Sequence, residues 1–369
     1  MRIDLLELRL VRLPLVRFFE TSFGRVVDRQ FLLVRAVSDG LTGWGEGVAD
    51  EHPFYSSETA ASSWDVVERY VGPWLLGVEF AHPRDVFGRL ARVRGHQMAK
   101  AAVEMAAWDL YARQQQRPLW QVLGGTGDPV PSGVSIGIQD SVDQLLDRIE
   151  EERAAGYRRV KIKIKPGWDV EVVDAVRRRF ADLPLMVDAN AAYGPLDAPR
   201  LRALDGQRLM MIEQPFDYDD IHEHARLQAD LSTPICLDES IGSVGRAAEA
   251  LAAGACRVIN IKPGRLGGHA ESLRVHDLCA AGGVPVWHGG MLESGIGRAH
   301  NLHLSTLPNF RLPGDVAASR RYYQPDLIDP PIDLGPDGTI PVPGGAGIGV
   351  TVVEDRVARA TERVLTLHA

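Results

Sequence analysis

From about Val130 onward, short apolar runs alternate with longer stretches whose apolar positions recur at helical spacing. The runs predict strands at Val134–Ile138, Val160–Ile164, Leu185–Asp188, Met211–Glu213, Ile235–Asp238, Val258–Lys262 and Val284–Trp287. Amphipathic helices, such as Ser141–Ala155 and Val170–Phe180, fall between them. Seven strands joined by helical crossovers point to an α/β fold, a parallel (β/α) barrel rather than an open sheet. Spacing alone leaves the open sheet as the alternative.

The first part of the chain has another rhythm. Phe31–Val37 reads as a strand, Ser38-Asp39-Gly40 as a turn and Thr42–Gly47 as a second strand, together an antiparallel hairpin. Ser57–Leu76 and Lys100–Gln114 read as helices, the second with Ala102, Met105, Ala106, Asp109 and Leu110 at helical spacing. Leu123-Gly124-Gly125-Thr126-Gly127-Asp128-Pro129 breaks the pattern. We therefore expect an α+β domain over 1–125, a barrel over 126–325 and a C-terminal segment over 326–369. Within the last, Pro330–Gly349 is rich in Pro and Gly and reads as loops, and Val353–Leu367 as a final helix or strand.

The chemistry sits where apolar runs end. Asp188, Glu213 and Asp238 are spaced 25 residues apart, and each closes such a run. Carboxylates at neighbouring strand ends make a hard-cation site, although a single acid there often only caps the next helix. Lys161 and Lys163 share one side of their strand by alternation, and Lys262 ends another. A solvated lysine-rich strand is the plain alternative for the first pair. Inward lysines beside a metal and a substrate carboxylate would be acid/base groups, so the constellation suggests metal-assisted removal of a proton next to a carboxylate.

Composition narrows the class. The chain has 369 residues, 45% hydrophobic and 24% charged, with a net charge of −8. That balance suits a soluble globular protein and argues against nucleic-acid or membrane partners. Cys236, Cys256 and Cys279 form no C-x-x-C pair and read as buried thiols of a reducing compartment. Charges at Arg2, Asp4, Glu7 and Arg9 interrupt any leader-like apolar stretch, so a cytoplasmic location is expected.

The elements Lys161-Ile162-Lys163, VDAN, IEQP, LDES and INIKPGR resemble the enolase superfamily, muconate-lactonizing-enzyme subgroup. Thr21-Ser22-Phe23-Gly24, Gly95–Lys100, Gly133–Ile138, Pro166–Asp169 and Gly289–Gly295 are similar to its o-succinylbenzoate synthase/N-succinylamino acid racemase family. The resemblance implies a (β/α)7β barrel, a modified TIM barrel, under an N-terminal α+β capping domain, with the C-terminal segment packed on that domain. It implies Mg²⁺, or Mn²⁺ or another divalent cation, at Asp188, Glu213 and Asp238, and two facing catalytic lysines, Lys163 and Lys262. The expected substrate is a small carboxylate, and the expected assembly a homo-oligomer.

Dehydration and racemization use one architecture, so these motifs do not separate them. Lys161 is expected to neutralise the substrate carboxylate, Asn190 and Glu239 to orient ligands or lysines, and Ser135 and Met291 to line the pocket. Phe23 is expected to cover it from a capping loop. His288 departs from the family pattern and is read as a packing or substrate contact. Alternatives are a cycloisomerase, a dipeptide epimerase or a non-catalytic carboxylate-binding barrel. The epimerase reading lacks a D-x-D after the seventh strand, where Gly314–Ala318 is the nearest stretch.

Overall fold

The chain opens with a 17-residue strand, β1 (Leu5–Thr21), which turns back through Ser22 and Phe23 into β2 (Gly24–Ser38). With β3 (Leu41–Gly47) they form an antiparallel sheet. The structure, a computed structural model, describes residues 1–369. The expected hairpin at Ser38–Gly40 joins β2 to β3, and β1 precedes it as a further strand outside that hairpin. Helix α1 (Gln97–Gln114) lies directly on β3. A Cβ at Gly43 would stand 2.2 Å from the Ala106 carbonyl oxygen, and one at Gly45 2.1 Å from that of Ala102. Only glycine permits so close an approach.

Seven parallel strands follow in strict chain order: β4 (Val134–Ile136), β5 (Val160–Lys163), β6 (Leu185–Asp188), β7 (Ile212–Glu213), β8 (Ile235–Leu237), β9 (Val258–Ile261) and β10 (Val286–His288). The expected helix between the first two is α2 (Val142–Ala154), and every strand residue is buried, as a parallel sheet covered on both faces requires. The segment Asn309–Asp315 closes the ring between β10 and β4. Phe310 bridges Val286 and Gly314 bridges Ser132, both in parallel sense. Arg311 N–H donates to Val286 O at 3.1 Å, Asp315 N–H to His288 O at 2.8 Å and Gly133 N–H to Gly314 O at 2.8 Å. The fold is therefore a barrel with an N-terminal α+β layer. At the far end, α5 (Glu354–Ala360) runs into β11 (Thr361–His368), which pairs with β1.

Buried carboxylates tie the layer to the barrel by capping barrel helices. Glu104 of α1 accepts the N–H groups of His269 (2.7 Å) and Ala270 (2.9 Å), at the start of α3 (His269–Ala281). Glu46 of β3 accepts from Ser294 and Gly297, each at 3.0 Å, at the start of α4 (Gly295–Leu304). A carboxyl oxygen at a helix N-terminus accepts from N–H groups that have no partner within the helix. Helices α3 and α4 follow β9 and β10, so these caps fix two of the strand ends that carry the site. No helix is long and apolar enough to cross a membrane.

Candidate active site

The three acids stand at the ends of consecutive strands. Asp188 and Glu213 are register partners across β6 and β7, and Asp238 follows β8 directly. Lys163, the last residue of β5, is the register partner of Asp188, and Lys262 follows β9. All three acids are fully buried, and Lys161, Lys163 and Lys262 nearly so. The solvated-strand alternative for β5 is thereby excluded.

Charges alternate through the cluster. Lys163 Nζ donates to Asp188 Oδ2 (2.6 Å) and Asn190 Oδ1 (2.7 Å). Lys262 Nζ donates to Asp238 Oδ2 at 2.7 Å, and Arg265 pairs with the other oxygen of Asp238. Lys161 Nζ lies 3.0 Å from Glu213 and 3.1 Å from Asp188. Asn190 holds φ at +44°, a left-handed conformation that Asn tolerates better than most residues. Its amide donates to Glu239 Oε1 at 2.9 Å, so one turn links Asp188, Lys163 and Glu239.

As placed, the acids are not gathered into a ready-made cation cage, because each is turned onto a lysine or arginine. Their chemistry nevertheless fits a hard divalent cation: three buried oxygen donors on adjacent strand ends and no soft ligand. Two further signs point the same way. Burial, then the charge of Asp188, pushes Glu213 up and Glu239 to about 7. Glu239 Oε2 is buried without a partner. A cation would relieve that crowding of negative charge.

The lysines differ electrostatically. Burial holds Lys163 below the usual ammonium range; Asp188 opposes the shift and Lys161 reinforces it. Burial also acts against charge on Lys161, but Asp315, Glu213 and Asp188 outweigh it and fix the ammonium. For Lys262 burial is outweighed by the Tyr55 oxygen, Glu213, Glu239 and Asp188, and the net shift is upward.

A cavity of about 280 Å³ opens above the cluster. Lys163, Asn190 and Lys262 line its inner end, and Phe23, Met291 and Tyr55 line the walls. Phe23 sits at the β1–β2 tip, where Ser22 Oγ donates to Asn190 O at 3.4 Å, and Glu20 O accepts Ile138 N–H at 2.9 Å. The structure does not bring every expected contact to this surface. Lys161 and Ser135 stand behind the lining, and Ser135 Oγ is buried without a partner; Glu239, expected to orient ligands or lysines, accepts from Asn190.

His288 does not line the cavity. It is buried, its ring stacks on Phe310 at 24° and its Nδ1 meets Gly289 O at 3.0 Å. Burial pushes it down to about 4, so it is a neutral packing group.

Five further residues shape the cluster without having been singled out from the sequence. Tyr55 donates to Asp238 Oδ1 at 3.0 Å, and Asn260 donates to Glu213 Oε1 at 2.6 Å. Gln214 Oε1 accepts Asp238 N–H at 3.0 Å. Arg265 and Asp315 complete the set. Asn260 was within reach, because alternation places it on the side of Lys262. Tyr55 and Asp315 carry no such local signal.

Comparison with known proteins agrees with this geometry. Residues 7–124 match the family "Mandelate racemase / muconate lactonizing enzyme, N-terminal domain", and residues 144–356 match "Enolase C-terminal domain-like". The chain is 52% identical to an o-succinylbenzoate synthase of Geobacillus kaustophilus, over 99% of this chain and 98% of that one. It is 50% identical to an N-succinylamino acid racemase of Thermus thermophilus, over 98% of each. A solved enolase-superfamily structure from Listeria innocua superposes with a TM-score of 0.96 at 38% identity, over 100% of this chain and 99% of that one. The chain belongs to the enolase superfamily, in its mandelate racemase/muconate lactonizing enzyme branch.

Proposed function

We propose that this enzyme removes the proton α to a substrate carboxylate and then acts as an o-succinylbenzoate synthase, an N-succinylamino acid racemase, or both. The observation that carries this reading is that Lys163 and Lys262 line one cavity from the second and sixth strands of an eight-membered ring. Strands four places apart in such a ring stand on opposite walls, so a substrate between them presents one face to each lysine.

In this reading Asp188, Glu213 and Asp238 hold Mg²⁺ or another divalent cation. Bound there, the cation supplies positive charge to the substrate carboxylate as its α-proton leaves. Lys163, with its depressed proton affinity, is the better-prepared base. In dehydration it would take the proton and its ammonium would then return one to the departing β-hydroxyl, which leaves as water, while the Lys262 ammonium faces the developing charge. In racemization the lysine on the second face returns a proton. Asn190 keeps the Lys163 amine oriented, and Lys161 remains an ammonium beside the acids. Phe23 and Met291 exclude water from the cavity. The buried, unbridged thiols favour a cytoplasmic site of action.

A dipeptide epimerase needs an acid free to bind a substrate ammonium. Asp315, the nearest acid of the closing segment, is already bound to Arg159 and Lys161 and does not line the cavity. The test is α-proton exchange of N-succinylamino acids in D₂O, alongside formation of o-succinylbenzoate from its hydroxy acid precursor. Absence of both reactions with added Mg²⁺ would sink the proposal.

A further inference from the structure

The Lys161 ammonium touches three carboxylates at once: Asp315 at 2.7 Å, Glu213 at 3.0 Å and Asp188 at 3.1 Å. The contact to Glu213 is a hydrogen bond and the other two are close ion pairs, so one ammonium is shared among three buried carboxylates. Two of these three acids are the proposed cation ligands. An ammonium and a divalent cation then compete for the same carboxylate oxygens, and Lys161 needs another seat when the cation binds.

Asp315 is built to be that seat. It belongs to the closing segment rather than to the acid series, and its N–H is fixed on His288 O at 2.8 Å. Its Oδ1 accepts from Arg159 at 2.6 Å, while its Oδ2 faces Lys161. Arg159 is itself held by Pro313 O at 2.7 Å. Trp287 packs beneath both cations, its ring centre 5.1 Å from the Arg159 guanidinium and 4.8 Å from Lys161 Nζ. Its electron-rich face favours a cation there. The carboxylate is thus rigid, paired on one oxygen, and free on the other for one ammonium.

We propose that Asp315 is a positioning residue that retains the Lys161 ammonium and so leaves Asp188 and Glu213 free for a divalent cation. This rests on the reading that Asp188, Glu213 and Asp238 bind the cation.

The test is a double-mutant cycle read by Mg²⁺ titration calorimetry, without substrate. Asp315→Asn should weaken Mg²⁺ binding about tenfold or more while Lys161 is present, since coupling of 1–3 kcal/mol is typical between linked sites. In the Lys161→Met background the same substitution should have a clearly smaller effect, because the competitor is gone. Equal weakening in both backgrounds would show a charge acting directly on the ion and would overturn the proposal. No weakening in either would overturn it as well. Asp315→Asn leaves the buried Arg159 without a carboxylate to balance its charge and endangers folding. The cycle is therefore repeated with Arg159→Met in all four proteins, and thermal melts check that each is folded. Failure of unmodified protein to bind Mg²⁺ would overturn both the cation reading and this inference. Normal binding with an uncoupled cycle overturns only the inference.

Discussion

The Tyr55 phenol donates to Asp238 Oδ1 at 3.0 Å, reaching from the N-terminal layer to an acid at a barrel strand end. The Tyr55 hydroxyl oxygen in turn accepts from Lys262 Nζ at 3.3 Å, and the Tyr55 ring centre lies 4.8 Å from that ammonium. The layer therefore touches the proposed chemistry as well as covering it. Tyr55→Phe keeps the ring and removes the hydroxyl. A hydrogen bond to a charged group is worth about 1.5–3 kcal/mol, so kcat/KM should fall roughly tenfold or more. Steady-state kinetics at the wild-type value would show that the hydroxyl is idle.

Chelation should stop the reaction without unfolding the protein. The protein's own side chains give Asp188, Glu213 and Asp238 ammonium or guanidinium partners. None is left as a lone buried charge, the state that destabilises most. EDTA should abolish α-proton exchange while circular dichroism stays native, and Mg²⁺ should restore activity. Activity that survives EDTA would remove the cation from the mechanism.

Phe23 supplies an apolar wall at the hairpin tip. Losing a buried phenylalanine contact costs about 1.5–3 kcal/mol at most. Phe23→Ala should raise KM roughly tenfold and leave the melting temperature near its original value, because the residue lies outside the core. An unchanged KM would place the tip away from bound substrate.

Much of this arrangement was legible because the charges stand directly after apolar runs. Asp188, Glu213, Asp238, Lys163 and Lys262 announce the strand ends on which the structure places them. Helix α1 could be read from periodicity although it is buried on nearly all faces. The eighth barrel member was not legible: Pro308-Asn309-Phe310-Arg311-Leu312-Pro313-Gly314 has two prolines and joins the ring through single bridges. Val353–Leu367 was ambiguous between helix and strand because the chain forms one and then the other, α5 and β11. Ser135 reads as pocket-lining from its place on the first strand, but its side chain stops behind the cavity wall.

The seam between layer and barrel should make stability depend on pH in two opposite ways. Burial raises Glu104 to about 8, against the N–H groups of Ala270 and His269 and the Trp108 indole. Its folded value exceeds its unfolded one, so this contribution is full below about pH 4.5 and lost as pH rises towards 8. Burial lowers His303 to about 3, so its contribution is present above about pH 6.5 and lost as pH falls towards 3. Glu104→Gln should flatten the alkaline limb of a melting-temperature profile and leave the acid limb. One such carboxylate supplies at most about 1.4 kcal/mol per pH unit. An alkaline limb unchanged in the variant would assign it to other groups.

The two lysines give the sharpest distinction. If they face opposite sides of the substrate α-carbon, each serves one enantiomer. Lys163→Ala should stop racemization in both directions, since one of the two proton steps is lost. It should still allow exchange of the enantiomer whose proton faces Lys262. Lys262→Ala should show the reverse preference. Dehydration needs a base on one face only, and the family resemblance points to Lys163 for it. Lys163→Ala should therefore abolish dehydration. Lys262→Ala should slow it by roughly 10²–10³, the usual cost of losing one preorganised charge-stabilising donor. Proton NMR in D₂O with each enantiomer separates these outcomes. If both alanine variants exchange the same enantiomer, the opposed arrangement is wrong, and one base with a separate proton relay must replace it.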